Sequence, residues 1–281
     1  MRTKNMRLFT TFGNGSKRND LLYHDQFIWN KIKSLRNILD GLIPIIIFIL
    51  IWESIVRLHI VPEYIFPSFS AVMREFYHLT VNGVLLNNLA SSLFRVLAGF
   101  LLGSMAGIMM GTVMGCKEIM NRSFNPIFSL LYPIPTLGWA PLLMIWIGIN
   151  EMLPIILIFL CSFFPVLYNT ITGIRSVDSD VIKAARTLGA SDRKILTSVI
   201  LPLAVPNIFT GLRLEAGMAW RVVIAAEMVA IPTGIGALLI RSESLLRVDI
   251  IIVCLMVLSV MCLVFERFFQ YVETKMTKEW R

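Results

Sequence analysis

Charged residues are scarce in this chain. Only 16% of its 281 residues are Asp, Glu, Lys or Arg, whereas 56% are hydrophobic. A soluble domain carries about a quarter charged residues, so this composition argues against a water-soluble globular enzyme. The charge that is present is also unbalanced, because 26 Lys and Arg face 18 Asp and Glu, which gives a net charge of +8.

Residues that bind metals or perform catalysis are few and scattered. The three histidines are far apart, and the four cysteines form no C-x-x-C pair. Metal sites need ligands at short, regular spacings, so we predict no metal site and treat the cysteines as hydrophobic core residues. The lack of a histidine-based site or a nucleophile cluster argues against a membrane-embedded enzyme.

The phosphate-binding loop G-x-x-x-x-G-K-[ST] is absent, and the chain has no Gly-Lys dipeptide. We therefore expect no cofactor in this chain and no hydrolysis of ATP by that route.

Long apolar runs dominate what is present. Each is close to the roughly 20 residues that a helix needs to cross a bilayer. We predict an all-α membrane protein in which a basic tail (1–38) precedes a six-helix domain (39–270) and a short tail (271–281). The predicted spans are 39–58, 86–115, 124–149, 153–173, 203–230 and 250–269.

The positive charges predict the orientation of these spans. Six spans put both termini on one side, and the segments on that side hold 19 Lys and Arg, against 4 in the opposite segments 57–87 and 231–249. Since cytoplasmic loops are enriched in Lys and Arg, both termini and the loop at 174–200 are predicted to be cytoplasmic. The positive excess is thus an orientation signal rather than a nucleic-acid patch.

The loop at 174–200 has its own helical pattern. Asp178 or Asp180 can cap a helix with Val181, Ala184, Ala185 and Leu188 along one side, and Gly189 suits a left-handed stop. Ser191 or Asp192 can cap a second helix that runs towards Leu201-Pro202. The pattern predicts a compact knob at 178–198, although an ordinary amphipathic connecting loop would have the same periodicity.

Small residues mark the second span. Glycines recur every four residues and wind around the helix, a pattern that allows a second helix to approach closely. We predict helix packing at Gly99, Gly103, Gly107, Gly111 and Gly115.

The third span contains prolines that disfavour a regular helix. Either a kinked helix or an irregular segment that lines a water-filled path fits this pattern. The residues concerned are Pro133, Pro135 and Pro141, with Trp139 close enough to shape such a path.

Ionisable residues inside spans are costly and are candidates for functional roles. Arg213 and Glu227 are predicted to pair across helices or to brace a pore, whereas Glu215 and Arg221 fit either a substrate contact or a local ion pair. The ionisable candidates for pore-lining or bracing are Arg95, Arg213, Glu215, Arg221 and Glu227, and the others are Pro133, Pro135, Trp139 and Trp220.

The knob resembles the "EAA" loop of ABC-importer permeases, in which E-A-A, Gly and I-x-L-P follow one another at fixed spacing. Here Lys183-Ala184-Ala185 is followed by Gly189 and then by Val199-Ile200-Leu201-Pro202. Lys183 stands where the family has Glu, and Val199 where it has Ile.

Further motifs resemble the nitrate/sulfonate/taurine branch of these permeases, over roughly residues 60–270. Ser92-Leu93-Phe94-Arg95 with Gly99 resembles the start of its second span, and the segment 133–142 resembles its proline-rich third span. Gly211-Leu212-Arg213, Trp220 and Glu227-Met228 resemble its fifth span.

This resemblance implies a type I importer permease in the bacterial cytoplasmic membrane. It implies a second permease copy, two ABC ATPase subunits that bind ATP and Mg, and an extracytoplasmic solute-binding protein. The binding protein would deliver a small solute such as a sulfonate, taurine or nitrate. A vitamin, a precursor or another small solute is the alternative, and an ion-gradient-driven carrier is the rival class. The residues that the resemblance assigns to ATPase coupling are Asp178, Lys183, Ala184, Ala185, Gly189, Ala190, Leu201 and Pro202.

Overall fold

The computed structural model describes residues 41–277 and shows helices and connecting turns, with no strand in that range. The predicted basic tail at 1–38, the first residues of the first span and the last four residues of the chain lie outside the described residues. The chain divides into two compact units, Met1–Pro62 and Glu63–Arg281.

The first unit contributes one described helix, α1, at 41–57. It coincides with most of the predicted span 39–58. Its side chains are largely apolar and exposed, as in Leu42, Ile46 and Phe48.

The second unit contains the remaining helices, and their order follows the predicted spans closely. Their bounds are α2 Phe69–Val81, α3 Val84–Cys116, α4 Glu118–Leu131, α5 Ala140–Ile147, α6 Met152–Arg175, α7 Ser179–Thr187, α8 Asp192–Ile195, α9 Leu201–Ala230, α10 Ile235–Ser244 and α11 Val248–Thr277. A 3₁₀ turn (Thr136–Trp139) precedes α5, and a π-helical stretch (Leu196–Ile200) joins α8 to α9.

The core lies around α6, which packs between α3 and α9. The predicted glycine row of α3 faces the α6 backbone: a Cβ added at Gly99 would lie 2.7 Å from the carbonyl oxygen of Ile155, and one at Gly107 would lie 2.8 Å from that of Phe163. Gly103 and Gly111 also meet carbonyl oxygens of α6, whereas Gly115 meets the side chain of Ile174. Because each step of four residues along α3 matches about four along α6, the two helices run parallel with their backbones in close contact.

Four described helices are long and apolar enough to cross a membrane. They are α3, α6, α11 and the continuous run 192–229, which contains α9. A fifth span results if α4 and the segment Thr136–Ile147 are counted together, although they are bent by 87° at the break between them. The third predicted span, 124–149, is therefore not one regular helix. Pro133 and Pro135 lie in this break and Pro141 at the start of α5, where proline's missing N–H costs least.

Two segments differ from the sequence prediction. The predicted loop at 231–249 contains the short helix α10, which the Pro232 and Gly234 turn signals concealed. The last helix, α11, continues to Thr277, beyond the predicted end of the sixth span at residue 269. Its final turns are polar, so hydropathy alone ended the span too early.

Candidate functional site

A buried ion-pair cluster joins four segments at the end of the bundle where α3 and α6 begin and α9 ends. We define it as Ser92, Arg95, Glu151, Glu227 and Thr233. Arg95 is 1% exposed and Glu227 is fully buried. Neither side chain can be hydrated there, so each depends on protein partners.

Arg95 uses its whole guanidinium group. Its Nη1 donates to Glu227 Oε1 at 2.6 Å and to the Thr233 carbonyl oxygen at 2.8 Å. Its Nε and Nη2 donate to the two carboxylate oxygens of Glu151 at 2.6 and 2.8 Å, and Nη2 also donates to Thr233 Oγ1. The bidentate geometry towards Glu151 is the strongest arrangement available to an arginine–carboxylate pair.

Glu227 is equally well satisfied. Ser92 Oγ donates to it at 2.8 Å, and the backbone N–H of Gly236 donates to Oε2 at 3.0 Å. Ser92 Oγ in turn accepts the N–H of Ile235 at 2.9 Å. The turn before α10 approaches Glu227 so closely that a Cβ at Gly234, whose φ is +110°, would meet the carboxylate. Glycine suits this position for two reasons: it adopts a positive φ without strain, and it has no Cβ to collide with the carboxylate.

The cluster acts as a clamp. It ties α3, the start of α6, the end of α9 and the start of α10 together by charge-assisted bonds at one end of the bundle. Its role is therefore to position these helices, and its bonds can keep their ends together at this end of the bundle.

Glu151 lies just outside α6, and its side chain is 62% exposed. The hydrogen bond from Arg95 holds the pKa of this carboxyl below its ordinary value. A depressed carboxyl pKa contributes stability above the unfolded-state pKa, and that stability is lost as the pH falls through the folded-state pKa. The wild-type chain should therefore be more stable than Glu151→Gln at pH 7.

We expect this stability difference to shrink steadily as the pH falls below 4.5, the ordinary Glu value. Thermal unfolding of both proteins in detergent between pH 3 and pH 7 measures it. Since most of the side chain is exposed, the effect at pH 7 should be no more than about 1 kcal/mol. A difference that stays constant with pH would contradict an ionised Glu151 in the clamp.

A second polar site lies midway along α9. The bend cavity, of about 200 Å³, is lined by both sides of the α4–α5 break and by facing residues of α6 and α9. Trp139 and Glu215, both predicted pore candidates, line it. Cys161 of α6 also lines it and donates to Glu215 Oε2 at 3.3 Å, so this cysteine is a polar partner in addition to a core residue.

A larger groove of about 610 Å³ follows the exposed side of α9; we call it the α9 groove. Arg213 and Arg221 line it together with Glu266 of α11. Arg213 lies 3.9 Å from Glu266 and 3.5 Å from Glu273, and Arg221 Nη1 lies 3.5 Å from Met218 Sδ. Arg213 and Glu227 therefore each face an opposite charge on another helix but do not pair with one another: Arg213 lies beside carboxylates of α11, and Glu227 binds Arg95 of α3.

Trp220, the other candidate from the fifth span, lies in the core. It is 1% exposed and packs edge-to-face on Phe265 of α11 at 5.4 Å. Trp220 therefore contributes to packing and lines neither the bend cavity nor the α9 groove.

The knob contains the two expected helices. Asp178 caps α7 by accepting the N–H of Asp180 at 2.8 Å. The helix ends at Thr187, and the chain turns at Gly189, whose φ is +79°; the N–H of Gly189 donates to Arg186 O and that of Ala190 donates to Ala185 O. These two bonds form a Schellman motif, which satisfies the last carbonyls of the helix.

The outer surface of the knob exposes apolar side chains. Val181 is 45% exposed and Leu188 88% exposed, and Ala184 is exposed beside them. Lys183 Nζ lies 2.9 Å from Asp180 Oδ1 on the same helix. The lysine that replaces the family's glutamate therefore has a local carboxylate partner.

The other end of the knob connects to α9. Arg186 pairs with Asp192 at 3.2 Å, so α7 is tied to α8, while Leu201 and Pro202 form the first turn of α9. Movement of α7 can reach α9 through this short connection.

Sequence reasoning missed several members of these sites. Glu151, Thr233 and Cys161 were not candidates, and Ser92 entered only as part of a motif. A carboxylate directly before an apolar span was the available signal for Glu151. No group of His, Cys, Asp and Glu in the described residues could hold a metal ion.

Comparison with known proteins places the chain among transport proteins. Residues 99–278 match the family model for the binding-protein-dependent transport system inner membrane component. A Methanocaldococcus jannaschii protein, provisionally named as an ABC transporter permease, is 38% identical over 91% of this chain and 97% of its own length. The taurine transport system permease protein TauC of Escherichia coli is 29% identical over 82% of this chain and 86% of its length.

The fold resembles that of a solved transporter. A chain of the MetNI methionine ABC transporter, in an inward-facing conformation, superposes with a TM-score of 0.59 over 67% of this chain and 94% of that chain. The sequence identity is 14%, so this likeness concerns the fold alone.

Proposed function

The chain belongs to the family of binding-protein-dependent transport system inner membrane components, and from this premise we propose that it lines the path of a small solute in an ATP-driven importer. The family makes it a multi-pass ABC transporter permease of the inner membrane and not an enzyme. The solute is delivered by an extracytoplasmic binding protein. The proposed solute is a small anion such as a sulfonate, taurine or nitrate, and the taurine permease among its relatives favours the sulfonate class; a vitamin, a precursor or another small solute is the alternative.

ATP and Mg are bound by partner subunits in this proposal. The missing phosphate-binding loop supports it, because the chain has no motif for cradling nucleotide phosphates. Two ABC ATPase subunits then work with two permease copies. The excess of positive charge on one side supports cytoplasmic termini and a cytoplasmic knob.

A second copy of the chain accounts for the polar side of α9. Arg213 and Arg221 line an open groove on a membrane-spanning helix, where contact with lipid would cost several kcal/mol per charge (about 2.5–3.5 on insertion scales). Closure by a two-fold-related copy would place these arginines along a shared aqueous path. The two copies would then form the pore between them.

The observation that carries the proposal is the knob. A capped, nine-residue helix, α7, has an exposed apolar side and is joined to α9 through α8 and a short π-helical stretch. Docking of α7 on an ATPase explains why apolar side chains such as Leu188 are exposed here. Closure of the ATPases would move α7 and α9 and change which side of the membrane the path opens to.

Leu188→Asp tests this docking directly. The side chain is 88% exposed, so the change should leave the fold and the thermal unfolding temperature unaltered. A charge in an apolar docking contact should weaken ATPase binding by roughly tenfold or more and abolish ATP-driven uptake. Co-purification with the cognate ABC ATPase and uptake by reconstituted vesicles measure the two effects.

Leu245→Asp is the matched control. Leu245 is 72% exposed but lies after α10, at the opposite end of the bundle. ATPase co-purification should be normal in this variant. Wild-type levels of ATPase binding and uptake in Leu188→Asp would rule out the knob as the dock, and uptake that persists without any ATPase would favour an ion-gradient-driven carrier.

A further inference from the structure

Glu215 is a buried carboxylate without a cationic partner in the described part of the chain. It is 8% exposed and lies midway along α9, and its hydrogen-bond partner is the thiol of Cys161 at 3.3 Å. Glu215 also lines the α9 groove with Arg213 and Arg221, but neither arginine lies within ion-pair distance of it: Arg213 lies beside carboxylates of α11, and Arg221 lies beside Met218. Glu227, in contrast, has a full set of charged and polar partners.

The cavity in front of Glu215 has aromatic walls. Tyr132 and Trp139 line it from the two sides of the bend, and Phe164 lines it from α6. No lysine, arginine or histidine is among the described residues that line it. Aromatic faces and a carboxylate together are the groups that bind an organic cation, through cation–π attraction and a charge-assisted hydrogen bond.

The size of the cavity suits one small chemical group. Its volume of 200 Å³ corresponds to about seven waters in the liquid. It is therefore large enough for an aminoalkyl or small heteroaromatic group, and too small for a peptide.

We propose that the bend cavity binds the positively charged, amino-bearing end of the transported solute, with Glu215 as the residue that selects for it. The inference rests on the proposed transport function and narrows its substrate. Within the sulfonate class it points to an aminosulfonate, which carries both charges, rather than to nitrate or a simple alkanesulfonate.

The selectivity follows from the cost of burial. An ionised carboxylate away from water is unfavourable without a cation, so a bound ammonium group replaces the missing partner. An anionic group in the same cavity would meet Glu215 at close range, and no basic residue is among the described residues that line this cavity. Such a like-charge contact excludes the wrong ligand as effectively as the attraction selects the right one.

Three probes of one shape separate these cases: benzylamine, benzyl alcohol and benzenesulfonate. We expect benzylamine near saturation to raise the unfolding temperature of the purified full-length chain in detergent by about 3–5 °C. Benzyl alcohol and benzenesulfonate should give a shift below about 1 °C. In Glu215→Gln, which keeps the shape and the thiol contact, the benzylamine shift should also fall below about 1 °C.

Two further variants separate binding from folding. Glu266→Gln changes the same residue type in the neighbouring α9 groove and should keep the full benzylamine shift. Trp139→Leu removes one aromatic wall and should reduce the shift even if Glu215→Gln folds poorly. A larger shift with benzenesulfonate than with benzylamine, a full shift in Glu215→Gln, or no shift with any probe would overturn the proposal.

The result is independent of the test of transport function. The probe experiment uses no ATPase, whereas the Leu188→Asp experiment uses no cavity ligand. A normal coupling result with no amine selectivity would leave the importer proposal intact and reject only the cation site. Amine selectivity without ATPase binding would support the cation site and reject the importer proposal.

Discussion

Glu227→Ala is expected to destabilise the chain by about 3–5 kcal/mol, because it leaves Arg95 buried with part of its charge uncompensated. Arg95 is 1% exposed, and the variant would remove its 2.6 Å bond to Glu227 together with the acceptors of Ser92 Oγ and the Gly236 N–H. For a chain of this size the unfolding temperature should fall by about 6–20 °C. Thermal unfolding in detergent, monitored by circular dichroism, measures the change.

Two variants show whether the buried charge is the cause. The double variant Arg95→Met, Glu227→Leu removes both charges and should be more stable than Glu227→Ala alone. Glu118→Ala breaks exposed pairs with Arg122 and Arg175 and should cost about 1 kcal/mol or less. Equal losses in Glu227→Ala and Glu118→Ala would contradict a clamp made by buried charges.

Gly103→Ala is expected to separate α3 from α6. The added Cβ would lie 2.5 Å from the carbonyl oxygen of Phe159, and a backbone atom cannot move aside as a side chain can. Overpacking of this kind costs about 1–3 kcal/mol, and the loss should be larger in Gly103→Leu. The unfolding temperature of the purified chain and the yield of assembled complex on native gels measure both.

Gly217→Ala provides the matched control on α9. It makes the same chemical change inside a long helix, but a Cβ at Gly217 meets nothing within 4 Å. Because alanine favours helix by about 1 kcal/mol over glycine, this variant should be as stable as the wild type or slightly more stable. Destabilisation of equal size in both variants would mean that close contact with α6 is not what the glycine row provides.

Much of the fold could be predicted because its signals are local. Apolar runs located α3, α6, α9 and the start of α11 to within a few residues. Hydropathy failed at the end of α11, where the helix continues but its residues become polar. Proline predicted irregularity in the third span, but only the structure gives the 87° bend. The helix α10 was missed because its first residues follow turn-forming Pro232 and Gly234.

The knob could be predicted in detail for the same reason. Caps and left-handed stops depend on residues within one or two turns, so the neighbouring residues alone limit the cap to Asp178 or Asp180 and place the stop at Gly189; the structure shows that Asp178 is the cap. The partner of Lys183 is equally local, three residues earlier at Asp180. Lys183, which stands where the family has Glu, therefore still has a carboxylate beside it, that of Asp180.

The polar sites could be predicted only in part. Sequence alone identified Arg95, Glu215 and Glu227 as costly charges inside apolar spans, but it gave none of their partners. Glu227 meets a residue 132 positions away, and Glu215 meets one 54 positions away. Cys161 was taken for a core residue because nothing near it in the chain is charged.

The sequence by itself determined the class of this protein, its long helices and the form of its knob, because composition, hydropathy and capping act over a few neighbouring residues. Only the tertiary structure decided which buried charges are compensated and which are not. Ion pairing depends on helices that meet in space after the chain has folded, so Glu227 became part of a clamp while Glu215 came to face an aromatic cavity. Two glutamates on one helix thus acquired different roles from their surroundings.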